Sequence, residues 1–214
     1  MSDWVLPSYI NDIGSTYKAW IDHYPEHTTA NPILHEIVKK AATKKIITGA
    51  FQTPYQSGSD QRHIEELDML FSWIERKAIF AADKLAENSG SIFNGTKEEI
   101  KHFEIAEYWG MYYTEGAGAV PHNHFPYPLC FTYYINTPEG SAPFTLEDED
   151  IPVESGKIVF FRGTQTHQVK PCESEGRSMI AGNIIYTPKI PSGGFWEKDV
   201  ESSVPSRWVI KTHG

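Results

Sequence analysis

Apolar positions in the first hundred residues recur at the period of an α-helix, and beyond about residue 96 they recur at the shorter spacing of strands. In "RHIEELDMLFSWIERKAIFAADKLAE", Ile64, Leu67, Phe71, Ile74, Ala78, Ala81 and Leu85 advance by three and four residues in alternation, the stripe of an amphipathic helix. A second helix is expected over "NPILHEIVKKAATKKIITGAF", with Asn31 as its cap, Pro32 in its first turn and Gly49 near its end. A third, shorter helix is expected within "SDWVLPSYINDIGSTYKAWIDHY", its limits blurred by Pro7 and Gly14. The later segments "HFEIAEYWGMYYT", "LCFTYYINT", "APFTLE", "GKIVFFR", "HQVKP" and "RSMIAGNIIYT" are short, β-branched and aromatic, and turn-forming stretches such as "TPEGS" and "RGTQT" separate them. No βαβ alternation is visible. The pattern predicts a mainly β fold, a sandwich or jelly roll, with N-terminal helices covering one face of a sheet.

This division gives an expected organisation of one globular domain. Residues 1–95 form a helical layer, residues 96–190 a jelly-roll core, and residues 191–214 a tail that packs back through Phe195, Trp196 and Trp208. A chain of 214 residues with 40% hydrophobic, 13% aromatic and 22% charged content has the make-up of one soluble domain with a sizeable core. Its formal charge of -9 leaves no surface for tracking phosphates, so no nucleic-acid partner is expected. No window approaches the ~20 apolar residues of a membrane span, and no basic segment followed by an apolar one opens the sequence. No membrane association and a cytoplasmic location are the expectation. Cys130 and Cys172 share no CxxC spacing and imply neither a zinc pair nor a disulfide framework.

The candidate chemistry begins at "AVPHNHFPYP". On a strand, side chains two apart share a face, so His122 and His124 are placed to hold one ion, although for an HxH pair taken alone the structural reading is the stronger. Of nine histidines, His167 is the one positioned to join them: it follows the strand "GKIVFF" and lies 43 residues beyond His124 (167 − 124), room for antiparallel strands to return. Three such ligands leave coordination positions open on an ion, whereas a structural zinc would fill its fourth. Imidazole alone does not choose the metal. Arg177 stands ten residues past His167 (177 − 167), on the next strand. Its planar fork suits a carboxylate held by two hydrogen bonds, and a surface pairing with Glu173 or Glu175 is the alternative.

The order H-x-H, then "SGKIVFFRGTQTHQVKP", then an Arg ten residues after the distal His resembles the 2-oxoglutarate/Fe(II)-dependent oxygenases. The similar branch comprises phage and marine bacterial proteins in which the usual acidic ligand position is His. The resemblance runs over roughly residues 105 to 186 and takes in Trp109, Tyr113, Gly116, "FTYYIN" and Asn183. It implies a double-stranded β-helix, the jelly roll of that family, with helices on the larger sheet. It further implies Fe(II) bound by His122, His124 and His167, and 2-oxoglutarate as cosubstrate with its far carboxylate on Arg177. The reaction so implied uses O₂ to hydroxylate a C–H bond of a protein or small-molecule substrate. Two departures stand out. His124 replaces an Asp or Glu, which raises the charge of the site by one unit. Met179 stands where many members have Ser two residues after the Arg, so Tyr113, Thr132 and Tyr134 are the candidate hydroxyls for the carboxylate.

Three other readings stay open. "GAGAVPHNH" also satisfies the G-x5-H-x-H opening of the cupins, but Pro128 and Leu129 stand where their Glu is expected. A three-His cupin dioxygenase would not need Arg177. A jelly-roll binding module with structural histidines is the non-enzymatic alternative. The acidic run "EDEDIP" is expected to be a solvated turn, not a Ca²⁺ site. The loops at residues 116–121 and 162–166, with the aromatic tail, are expected to rim the pocket.

Overall fold

The computed structural model describes residues 18–58, 64–87 and 101–188. Its elements in order are β1 (Ala19–His23), α1 (His27–Ala41), β2 (Lys44–Lys45), β3 (Phe51–Gln52), β4 (Gln56–Ser57), α2 (Glu65–Glu87), β5 (Lys101–Tyr113), β6 (Ala119–His122), β7 (Leu129–Asn136), β8 (Phe144–Leu146), β9 (Glu149–Ile151), β10 (Lys157–Phe161), β11 (His167–Val169) and β12 (Arg177–Pro188). They form a jelly roll. The larger sheet runs β1-β10-β7-β12-β5-β3-β2, with β4 also on β5, and the smaller runs β6-β11-β8-β9. Every pairing is antiparallel. The expected mainly β architecture with helices on one sheet is what the chain adopts. No helix among the described residues is long and apolar enough to cross a membrane.

Alternation along the strands sorts their side chains into two cores. Phe131, Tyr133 and Ile135 of β7, with Ile180 and Ile184 of β12, face the helices, where they meet Leu34 and Val38 of α1 and Phe71, Ile74 and Ala78 of α2. The helical stripe expected from Leu67 to Leu85 is buried in that core. Leu70, Phe71 and Ile74 are completely enclosed, and burial of each contributes about 1.5–3 kcal/mol. The opposite faces carry Trp109, Met111 and Tyr113 of β5, Cys130 and Tyr134 of β7, and Met179 and Ala181 of β12. These point into the space between the two sheets, towards Phe144, Leu146 and Val169 of the smaller one.

Three expectations for the N-terminal half are corrected. Ala19–His23, expected at the end of a helix, is an edge strand paired with β10, and the rest of that expected helix lies outside the described residues. The second helix begins at His27 with Glu26 as cap, because the Glu26 carbonyl already receives the Thr29 and Ala30 amides and the Thr29 hydroxyl. Pro32 therefore sits inside the helix, and Asn31, no cap, is buried against the sheet. The helix stops at Ala41, and Gly49, with φ +90°, turns the β2–β3 hairpin instead of ending a helix. The acidic run is only partly a turn: Glu149–Ile151 is a strand, Lys18 pairs with Glu147, Asp148 and Glu149 at 3.3, 2.8 and 3.1 Å, and Lys170 with Asp150 at 2.6 Å. The expected aromatic tail lies outside the described residues.

Asn31 ties α1 to the sheet. Its Nδ2 donates to the Ile135 carbonyl and the Ser155 hydroxyl, both at 2.9 Å, and its Oδ1 accepts from the Tyr133 hydroxyl. Asn31→Ala strands the Tyr133 hydroxyl in an apolar core, a penalty of about 1–3 kcal/mol. Urea denaturation is expected to show a lower midpoint with an unchanged slope.

Candidate metal centre

The two sheets bring His122, His124 and His167 together. β11 pairs with β6 in the register that sets His167 directly opposite His122. His124 follows β6 in a turn closed by the Tyr127 amide on its carbonyl, and its own amide donates to the Gly163 carbonyl at 2.7 Å. Gly163 has to be glycine for that approach, because a Cβ there would stand 2.1 Å from the Tyr127 carbonyl oxygen. The loop at 162–166 thus anchors the HxH turn by its backbone, whereas Ala119, expected in a loop at 116–121, is the first residue of β6 and lines the cavity from that strand.

One potential ligand atom from each imidazole lies within 4.8 Å of the others. The Nε2 atoms of His124 and His167 are 3.2 Å apart. Two nitrogens about 2.1 Å from one ion and at right angles around it stand about 3.0 Å apart, so this separation fits two ligands of a single cation. His122 Nδ1 lies 2.7 Å from the Val120 carbonyl and His167 Nδ1 3.2 Å from that of Gln165. Each ring donates its Nδ1–H there and leaves the Nε2 lone pair for the cluster. His167 is buried, His124 half-buried and His122 exposed, so the group opens outward on one side. Burial, reinforced by His122, pulls His124 down to about 4 and His167 to about 3. Both rings are neutral near pH 7, the state a metal ligand requires.

Behind the histidines is a cavity of about 140 Å³. Its walls include Trp109, Met111, Phe144, Phe161 and Val169, with Tyr113 and Thr132 among its polar groups. Tyr134 and Arg177 stand one layer further in and do not border it. Arg177 is completely buried, its guanidinium carbon 4.8 Å from the Tyr113 ring centre and 5.5 Å from that of Tyr134. No carboxylate among the described residues pairs with it, and the alternative pairing with Glu175 does not form, since Glu175 accepts from Tyr112. Its Nη1 points at the Cys172 sulfur at 3.8 Å, while Nε and Nη2 have no partner. Burial works against its charge, but Tyr113, Tyr134 and Cys172 outweigh that and hold its pKa above the ordinary value. The tyrosines stay protonated: burial raises Tyr113 and pushes Tyr134 up to about 12. The Tyr113 and Thr132 hydroxyls face the Met179 sulfur at 3.8 and 3.5 Å, and the Tyr134 hydroxyl faces Thr132 and Arg177 without a well-formed hydrogen bond.

No protein-family model matches the chain, and no curated protein matches it by sequence. Solved structures do. A prolyl-4-hydroxylase of Pseudomonas putida matches with a TM-score of 0.56 at 16% identity, over 79% of this chain and 93% of that one. An oxidoreductase of the 2OG-Fe(II) oxygenase family from Burkholderia pseudomallei matches at 0.52 and 6%, over 78% and 84%. The fold is that of the 2OG-Fe(II) oxygenases. The non-heme alpha ketoglutarate dependent carbocyclase SnoK from nogalamycin biosynthesis, at 0.52 and 15% over 79% and 80%, shares it too. These likenesses establish architecture; what the site does has to come from its own residues.

Sequence reasoning did not find three contributors. Ile46 and Gln52, beside and on the short hairpin strands, line the cavity, and so does Tyr55, whose ring packs edge-on against Trp109 at 4.8 Å. Strands of two residues leave no periodic signal, so nothing in the chain marked them.

The low pKa values of His124 and His167 have a stability consequence. Unfolding returns them to about 6.5, so above that pH they are neutral in both states and contribute nothing. As pH falls from 6.5 towards 4 and 3, the unfolded chain takes up protons that the folded one refuses, and the metal-free protein loses stability. Thermal melts between pH 7 and 4 are expected to show this decline, and to show it less steep in His167→Gln.

Proposed function

We propose that the protein is an oxygenase that uses Fe(II), O₂ and 2-oxoglutarate to hydroxylate a C–H bond of a protein or small-molecule substrate. The observation that carries this reading is a three-imidazole cluster at the mouth of an apolar cavity, with a buried, unpaired guanidinium on the same interior face. A cation enclosed without a counter-charge is costly, and an anionic ligand would offset that cost.

In this reading His122, His124 and His167 hold the iron. Iron with 2-oxoglutarate supplies O₂ activation coupled to decarboxylation, giving succinate, CO₂ and an oxygen atom for the substrate. Arg177, behind the Tyr113 and Thr132 wall of the cavity, would supply the counter-charge for the far carboxylate, and its Nε and Nη2 lack a partner among the described residues. Tyr113 and Thr132, whose hydroxyls donate to the weak thioether acceptor of Met179, would turn to the same carboxylate, and the Tyr134 ring lies beside the guanidinium. The Val120 and Gln165 carbonyls keep two of the histidines in the ligating tautomer. Trp109, Met111, Phe144 and Phe161 keep water from the interior of the site. The neighbours include a hydroxylase and a carbocyclase, so the fold leaves the substrate unassigned.

The unpaired Arg177 favours this reading over a three-His dioxygenase that works without 2-oxoglutarate. Anaerobic Fe(II) titration of the wild type, followed by 2-oxoglutarate, is expected to develop a visible charge-transfer band. Arg177→Met is expected to keep iron uptake and to bind 2-oxoglutarate at least about 30-fold more weakly, the loss of one partner of a buried charge pair. Iron uptake with no response to 2-oxoglutarate would support the three-His dioxygenase, and no uptake at all the binding module.

A further inference from the structure

Two of the three imidazoles are oriented by backbone carbonyls, and the third is not. His122 and His167 each hold an Nδ1 contact to a main-chain oxygen, whereas His124 Nδ1 makes no hydrogen bond among the described residues. Its backbone is fastened at both sides of the turn, which fixes the Cα and leaves the ring free to rotate about its own bonds. What confines the ring plane is stacking. The Trp109 indole lies 5.4 Å away at 27°, and the His167 imidazole 4.9 Å away at 12°. Trp109 cannot easily move aside: it is 7% exposed, its strand position is opposite Ala181 of β12, and Tyr55 covers it edge-on.

We infer that Trp109 is the positioning residue that makes His124 a metal ligand, its flat indole face taking the part that a hydrogen-bond acceptor plays for the other two histidines. The inference rests on the metal-site reading above. A metal-bound histidine ordinarily has its ring direction set by an acceptor on the second nitrogen, and removing such support costs about 10- to 100-fold in metal affinity. An aromatic face restricts the same rotation by permitting one ring plane. This arrangement also explains why a neutral side chain can serve here. An Asp or Glu would be drawn to the cation by charge from several directions, and an imidazole binds only along its lone pair, so its orientation has to be built in.

The test uses the full-length protein and anaerobic Co(II) as probe, read by visible absorption and by titration. Trp109→Leu is expected to bind Co(II) about 10-fold more weakly and to shift the absorption to that of His124→Ala. Trp109→Phe, which keeps a flat face, is expected to restore both. Trp109→Leu combined with His124→Ala is expected to be no weaker than His124→Ala alone, because the two changes remove one interaction. Wild-type affinity and spectrum in a cooperatively melting Trp109→Leu, or additive losses in the double variant, would overturn the inference while leaving the metal site standing. If the wild type takes up no Co(II), the metal-site reading fails and the inference falls with it. If Trp109→Leu does not melt cooperatively, Trp109→Met, with similar bulk and no flat face, replaces it and is read in the same way; if neither folds, Trp109 is a core residue and the inference is withdrawn.

Discussion

The ladder β5–β12–β7 holds the interior of this protein in order. β12 is hydrogen-bonded to β5 from Arg177 to Pro188 and to β7 over most of the same length, with register shifts at Asn183/Ile184 on the β5 side and Ser178/Met179 on the β7 side. Because side chains alternate, that register sends Trp109, Tyr113, Tyr134 and Arg177 to one face and the helix-packing residues to the other. A slip of one residue would turn Arg177 to the helices and bring Ser178 and Ile180 to the site face, setting a cation against the apolar helix layer. The apolar packing of α1 and α2 on the far face opposes such a slip, so the helical layer supports the chemistry without touching it.

Within that frame the site sets neutral donors beside one cation that no carboxylate among the described residues offsets. Three imidazoles bring no negative charge to a metal, and Arg177 adds a positive one beyond the cavity. Tyrosine faces and a thiol surround the guanidinium, which moderates the cost of burying it but does not replace an anion. Under the proposed function, 2-oxoglutarate would answer both requirements at once, with one end for the metal and the other for the guanidinium. The apolar walls of the cavity would then strengthen both attractions by excluding water.

Met179 and His124, the two departures from the pattern that the sequence resembles, have local compensations. Met179 gives the Tyr113 and Thr132 hydroxyls a soft acceptor, so the deep end of the cavity keeps two donors although a serine is missing. His124 sits in a stack that supplies orientation where a carboxylate would have supplied charge. Neither compensation could be assigned from residue identity, since both depend on which rings and hydroxyls face one another across strands.

Periodicity determined what periodicity can encode. The long helix, the six later strands and the mainly β architecture were legible because each buries one face over enough residues to repeat. Spacing likewise pointed to His122, His124 and His167, which β6, the turn after it and β11 bring together. Tertiary structure alone decided the rest. Ala19–His23 became a strand because β10 had an open edge to pair with, and Asn31 turned from expected cap to buried anchor because Tyr133 and Ile135 were there to receive it. Ile46 and Tyr55 joined the cavity wall from beside strands too short to show a pattern, and Trp109 came to stack on His124 only where β5 meets the turn that follows β6. A sequence records which face of each element is apolar; which face meets which is settled only when the sheets close, and the stacking and orphaned guanidinium of this site exist only at that level.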